Sequence, residues 1–253
     1  MRSLLFVPGD SDKKLAKGLG SGADALILDL EDSVALERKP AAREMIRVFV
    51  ASHRDAATRP RLYVRINPLS TELWQDDLAA AVAGGPDGVM LPKPRSGEDV
   101  HRLSVALGHA EEMAGVRDGT TRIIAIATEL PVSVLQMPSY IEASTRLDGL
   151  TWGAEDLSAE LGSTAVREAD GRYTSPYRLA RDLTLFTAVA AGVQPIDTVF
   201  VDFRDAAGLE RECQAAARDG FTGKMAIHPD QVAAINAAFT PSAQEIARAS
   251  ETV

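Results

Sequence analysis

A set of acidic and basic side chains recurs at or just past the ends of short apolar runs along this chain. Asp29, Glu31 and Asp32 follow one run, and Arg65 and Asn67 follow the next. Then come Lys93, Glu129, the pair Glu155 and Asp156, Asp202 with Arg204, and finally His228. Singly, such a carboxylate is a helix cap or half of an ion pair. Seven of them at one rim repel one another unless a cation or arginines offset the charge. With four histidines, one cysteine and no H-x-x-x-H or C-x-x-C, a nitrogen or sulfur zinc site is excluded. Carboxylate oxygens plus water suit Mg²⁺ or Mn²⁺, which leave positions free for a substrate. This reasoning points to a hard metal without choosing its ligands. His228 reads as structural.

Those residues meet only if the elements before them are parallel. The apolar runs are Ser3–Val7, Ala25–Leu30, Arg61–Ile66, Gly88–Leu91, Arg122–Ala127, Gly149–Trp152, Thr198–Phe203 and Lys224–Ile227. Each is too short for a helix and reads as a strand buried on both faces. Helical segments fall between them: Asp12–Leu19, Lys39–Ser52, Leu78–Val82, Val100–Met113, Pro131–Ala143, Pro176–Ala191, Leu209–Ala217 and Asp230–Phe239. Glycines follow several of these, and Pro176 opens one. Eight strand–helix units close into a (β/α)8 TIM barrel, whose strand ends share one mouth. An open doubly wound sheet is the alternative, but no G-x-G-x-x-G follows any strand. No linker divides the chain, so residues 1–253 read as a single domain. The longest strand-to-helix connection is the loop Glu155–Ser175.

Composition narrows the setting. A length of 253 residues is ordinary for one such barrel. The net charge of −9 opposes nucleic acid and anionic membranes. Lys13, Lys14 and Lys17 read as a solvated helix face. No apolar run reaches the roughly 18 residues of a membrane span, and SLLFVPG is too short for a signal peptide. The expectation is a cytoplasmic protein with Cys213 as a buried, inert thiol.

The stretches RSLLFVPGD, ADALILDLEDSV, YVRINPL, GVMLPK, GAEDLSAELG and GFTGKMAIHPDQ occur in order over nearly the whole chain. In these the sequence resembles the citrate lyase beta-subunit-like group of the HpcH/HpaI aldolase superfamily. The resemblance implies a (β/α)8 barrel, a homo-oligomer with a trimer favoured, Mg²⁺, and a small 2-oxo acid. It implies making or breaking of carbon–carbon bonds in acyl-CoA or acyl-carrier thioesters of acids such as citrate, malate and citramalate. Residue by residue, it assigns the metal to Glu129 and Asp156 and the grip on the oxo acid to Arg65. That makes Arg65 and Glu129 the catalytic pair. On physical grounds beside the resemblance, the amides of Ala154 and Glu155 read as donors to the same carboxylate, and Glu31 and Asp32 as groups that order metal-bound waters or hold Arg65. A guanidinium suits bidentate recognition of a carboxylate, and a chelated metal stabilises charge on a keto oxygen.

The chain departs from the family pattern twice. Ala127-Thr128-Glu129-Leu130-Pro131 stands where the family shows I-E-T-A, so Leu130 and Pro131 alter the mouth beside Glu129. After the last helix only TPSAQEIARASETV follows, where many members carry a lid that brings an aspartate to a neighbouring subunit. The expectation is a shortened C-terminal extension, with the loop Glu155–Ser175 (its Glu160, Glu168 or Asp170) or a neighbour standing in. Three functions fit. The first is a Mg²⁺-dependent lyase acting on a 3-hydroxyacyl-CoA such as malyl-, citramalyl- or citryl-CoA. The second is a thioester hydrolase or CoA-independent aldolase on the same site, and the third a non-catalytic oxo-acid-binding subunit of a larger complex.

Overall fold

The computed structural model describes residues 1–242; segment 243–253, on which the expectation of a shortened lid rests, lies outside the described residues. Eight parallel strands close into a barrel in sequence order: β1 (Ser3–Pro8), β2 (Ala25–Asp29), β3 (Arg61–Arg65), β4 (Gly88–Leu91), β5 (Arg122–Ile126), β6 (Leu147–Thr151), β7 (Gln194–Asp197) and β8 (Gly223–Ala226). β1 pairs with β8 to seal it. The expected (β/α)8 TIM barrel is therefore observed. Alternation explains the continuous apolar runs. Leu4, Ala25, Ile27, Tyr63, Met90, Ile124, Ile126, Ile196 and Met225 pack together in the interior. Their neighbours Leu5, Leu26, Leu28, Leu62, Val64, Val89 and Leu91 pack outward with the helices. With period-2 geometry and both faces buried, nearly every strand position must be apolar. Gly88 makes room for the Tyr63 ring, since a Cβ there would lie 2.4 Å from Cε1.

The helices are α1 (Asp12–Leu19), α2 (Lys39–His53), α3 (Trp74–Gly84), α4 (Gly97–Ala114), α5 (Pro131–Leu135), α6 (Ala154–Leu161), α7 (Ser175–Ala190), α8 (Ala206–Asp219) and α9 (Val232–Ala238). Three sequence expectations are corrected. The segment Pro131–Ala143 is not one helix: α5 stops at Leu135 and a 3₁₀ turn, Met137–Tyr140, follows. Pro138 explains the break, having no N–H and clashing with the preceding turn. The loop Glu155–Ser175 begins as helix α6, with acids in its first turn and Gly162 left-handed at its end.

The seventh strand is Gln194–Asp197 rather than Thr198–Phe203. Pro195 lacks the N–H that a central strand uses, so the segment carries a weak local strand signal. Its carbonyl nevertheless accepts from the Thr222 amide, which keeps the ladder going. The run Thr198–Phe203 leaves the barrel as a loop, with Phe200 tucked into the core and Val201 and Phe203 exposed.

Candidate active site

At the C-terminal rim, β2, β3, β4, β5 and the start of α6 bring one polar group together. Asp29 ends β2 and shapes the turn after it by accepting from the amides of Glu31 (2.9 Å) and Ser33 (3.0 Å). An aspartate bonding an amide two residues on is an Asx turn, and here it fixes where Glu31 and Asp32 point. Lys39 braces the turn from behind, its ammonium donating to the carbonyls of Leu30 and Glu31 and to Asn67 Oδ1. Asn67 is anchored by Asp77, which accepts from both its amide and its side chain. Asn67 is therefore a brace beneath the rim.

Arg65 ends β3 directly beside Asp29. Its Nε and Nη2 each donate to Asp29 at 2.7 Å, and Nη1 lies 2.7 Å from Glu31 Oε2. The guanidinium has five N–H donors. Two are taken by Asp29, which holds the plane fixed and leaves the other three beside Glu31 and the mouth. Glu31 touches Arg65 through Nη1 alone, whereas Asp29 makes the two-point clamp. Asp32 stands further out, 3.9 Å from Arg65 and largely exposed.

Lys93, just past β4, sits at the centre. Its amide donates to Glu129 Oε2 at 2.5 Å. Its ammonium ion-pairs with Glu31, with Asp32 at 3.2 Å and with Asp156 at 3.1 Å. Through this lysine, Glu129 after β5 and Asp156 in the first turn of α6 belong to one cluster. Gly153 permits the approach of α6: a Cβ there would lie 2.8 Å from Glu129 Cγ. Its amide donates to Thr128 Oγ1, tying the end of β5 to the start of α6. Among the described residues no side chain caps α6, so the first-turn amides, those of Ala154 and Glu155 included, have no capping acceptor, while the Glu155 side chain is exposed.

The electrostatics follow from burial and surplus charge. Burial pushes the Glu129 carboxyl well above the usual carboxylate range, and Asp156 adds to the rise against the pull of Lys93. Burial raises Glu31 as well, opposed by Arg65 and Lys93. Burial also acts to raise Asp29, but the Arg65 hydrogen bonds and charge outweigh it and hold that carboxyl below its ordinary value. Desolvation disfavours the Lys93 ammonium, yet Glu31 and the surrounding carboxylates keep it firmly protonated.

This donor set suits a hard cation. Among the described residues no group of three or more His, Cys, Asp or Glu is arranged to hold a metal. Two carboxylates, Glu129 and Asp156, with water and substrate completing the shell, match how Mg²⁺ is commonly held. The Lys93 ammonium already stands 3.1 Å from an oxygen of Asp156, so the position favours positive charge.

The remaining rim candidates lie elsewhere. Asp202 and Arg204 follow the displaced seventh run and are exposed; Asp202 accepts from the Arg204 amide and lines a groove of about 640 Å³ between α7 and α8. None of Glu31, Arg65, Lys93, Glu129 or Asp156 lines that groove. Asp170 also faces it, paired with Arg172 at 2.7 Å, while Glu160 and Glu168 are exposed. His228 caps the 3₁₀ turn Pro229–Gln231, accepting from the Asp230 amide, and its ring stacks on Phe203. Cys213 is buried, and desolvation pushes its thiol up to about 12.

The model of the HpcH/HpaI aldolase/citrate lyase family matches residues 2–229. The chain belongs to that family. This family member is 35% identical to the citrate lyase subunit beta of Escherichia coli (strain K12), over 100% of this chain and 81% of that protein. It is 32% identical to the mitochondrial citramalyl-CoA lyase of Homo sapiens, over 100% of this chain and 74% of that protein. Among solved structures, protein CitE from Mycobacterium tuberculosis in complex with magnesium, acetoacetate and coenzyme A superposes with a TM-score of 0.80. That chain is 34% identical, with 100% of this chain and 87% of that chain covered.

Sequence reasoning placed Lys93 at the rim but gave it no role, and left Asp29 without one. The LDLED spacing, an aspartate two residues before a glutamate, was the available signal for the Asx turn. Nothing local in the sequence marks Lys39 or Asp77, whose partners lie on other elements.

Proposed function

We propose that this family member is a Mg²⁺-dependent carbon–carbon lyase acting on a 3-hydroxyacyl-CoA thioester such as malyl-, citramalyl- or citryl-CoA. The products are a 2-oxo acid and a shorter acyl-CoA, and the same site serves the reverse condensation. The observation that carries this is the meeting of Arg65, Glu129 and Asp156 on one rim, in a chain similar over its full length to lyases of such thioesters. Glu129 and Asp156 hold the cation, and Arg65, oriented by Asp29, grips the substrate carboxylate. The Ala154 and Glu155 amides supply further donors to that carboxylate. When bound, Mg²⁺ supplies a Lewis acid for the oxygen that becomes the keto group. Cleavage removes the proton of the 3-hydroxyl, places the electrons of the broken C–C bond in the thioester enolate, and ends when that enolate takes a proton on carbon to give the acyl-CoA. Glu31 and Asp32 order water or steady the Arg65 and Lys93 cations around that event.

Further parts of this reading are residues 1–253 as a single domain and a cytoplasmic homo-oligomer, a trimer favoured. The charge of −9 opposes binding to anionic membranes, and among the described residues no helix is long and apolar enough to cross a membrane. Leu179, Phe186 and Val189, exposed on α7, support self-association. Sedimentation of the purified protein decides the oligomer. Incubation with malyl-, citramalyl- and citryl-CoA, with Mg²⁺ or with a chelator, tests the activity. We expect Mg²⁺-dependent release of the matching oxo acid from at least one thioester. Oxo-acid binding without cleavage of any of the three would instead favour a binding subunit.

A further inference from the structure

Lys93 is held in a backbone conformation that ordinarily belongs to glycine. Its φ is 50°, in the left-handed region, and it stands between Pro92 and Pro94. A proline at the next position further restricts helical backbone, so the conformation is disfavoured on two counts. Glycine would adopt it without strain and would make the same amide contact with Glu129. What lysine alone adds is the ammonium among Glu31, Asp32 and Asp156. Backbone strain that persists at a site points to a function for the strained residue.

We infer that Lys93 is a built-in counter-ion, a positioning residue that gathers the mouth carboxylates before the divalent cation binds and gives up Asp156 when it does. The inference rests on Glu129 and Asp156 being the ligands of that cation. Glu31, Asp32, Glu129 and Asp156 carry like charge, and the ammonium or amide of Lys93 touches all four. Without it they would repel one another and splay. The same ammonium lies 3.1 Å from an oxygen of Asp156, where it competes with a metal for that oxygen and repels it. Glu31 and Asp32 remain its partners once Asp156 turns to the metal. Lys93 therefore lowers cation affinity while keeping the empty site assembled. Its removal shifts affinity in the opposite direction from removal of a ligand.

The test is Mg²⁺ calorimetry and thermal unfolding, with and without Mg²⁺, on the full chain and on Lys93→Gly, Lys93→Met and Lys93→Arg. Lys93→Gly guards against misfolding, because it suits the backbone and keeps the amide. Losing one positive charge beside the metal should tighten Mg²⁺ binding by Lys93→Gly and Lys93→Met about tenfold. Lys93→Met should melt below wild type without Mg²⁺ and recover in its presence, while Lys93→Arg, which retains the charge, stays near wild-type affinity. If neither Lys93→Gly nor Lys93→Met binds Mg²⁺ more tightly than a wild type that does bind it, this inference falls and the metal reading stands. An equal melting loss for Lys93→Met with and without Mg²⁺ also overturns it, because a purely structural lysine gives that result. A wild type that binds no Mg²⁺ overturns the metal reading and this inference together.

Discussion

Two charged clusters built from the same residue types sit a few strands apart and behave differently. Behind β7 and β8, Lys224 lies 2.7 Å from Asp197 and 2.8 Å from Glu212, and is itself fully buried. Arg181 reaches Asp197 and Asp219, Arg167 reaches Glu212, and the Trp152 indole donates to Asp197. Three carboxylates there face three cations. At the rim, among the described residues, Asp29, Glu31, Asp32, Glu129 and Asp156 face only Arg65 and Lys93. The wall cluster is balanced, although Arg167, Arg181, Glu212 and Asp219 also line the groove between α7 and α8, and its paired carboxylates keep the Lys224 ammonium protonated despite burial. The rim cluster carries surplus negative charge, and its Glu129 carboxyl is pushed up by burial and by Asp156. Balance marks architecture. Surplus, left open at a barrel mouth, marks a place for a ligand of opposite sign.

The largest expected effect breaks the wall. Lys224→Met leaves Asp197 buried without its closest cation, and losing one partner of a buried pair costs roughly 3–5 kcal/mol. Chemical denaturation should show this, with Mg²⁺ affinity unchanged in the folded fraction. A large change in Mg²⁺ affinity would erase the distinction between the clusters.

Next comes Arg65→Lys, which keeps the charge and loses the planar fork clamped by Asp29. We expect oxo-acid binding to weaken by about 1.5–3 kcal/mol, the range for hydrogen bonds to charged groups. Calorimetry with oxaloacetate, pyruvate and glyoxylate in Mg²⁺ measures it, and unchanged affinity for all three would make Arg65 part of the architecture.

A smaller effect concerns pH. Burial acts to raise the Glu111 carboxyl, but Arg146 and the amides of Thr121 and Gly119 outweigh it and hold it at about 2. A depressed carboxyl contributes stability that is complete above its unfolded value of 4.5 and is lost as pH falls through about 2. Glu111→Gln should therefore lower stability near neutrality and flatten the decline between those pH values, read from melting temperatures. The smallest effect belongs to the loop acids. Neutralising Glu160, Glu168 and Asp170 together should leave thioester cleavage unchanged, since Asp170 is engaged at the α7–α8 groove and the other two are exposed. Loss of turnover would restore them as a substitute lid.

The same contrast explains what was legible in the sequence. Barrel strands buried on both faces leave continuous apolar runs, so seven of the eight could be placed within a few residues. The seventh failed because Pro195 disguised a real strand while Thr198–Phe203, an apolar loop, imitated one. That slip carried Asp202 and Arg204 to the rim on paper, and the structure returns them to the surface. The rim positions of Arg65, Glu129 and Asp156 were legible because each lies at or shortly past a strand end. The helix α6 was hidden by its shortness, although Glu155, Asp156 and Gly162 are ordinary end signals. Lys39, Asp77 and the wall cluster were not legible, because their partners come from other elements and only the closed barrel brings them together.

The claim that the rim is a cation site is tested most directly by titrating Mg²⁺ into wild type and Glu129→Gln under identical conditions. The mutant keeps the side chain's shape and loses one of the two carboxylates proposed to hold the cation. Wild type should bind saturably, and Glu129→Gln should bind more weakly by at least the ~10–100-fold typical of losing even an outer-shell partner of a metal. Equal affinity in the two proteins would remove Glu129 from the site and contradict the account.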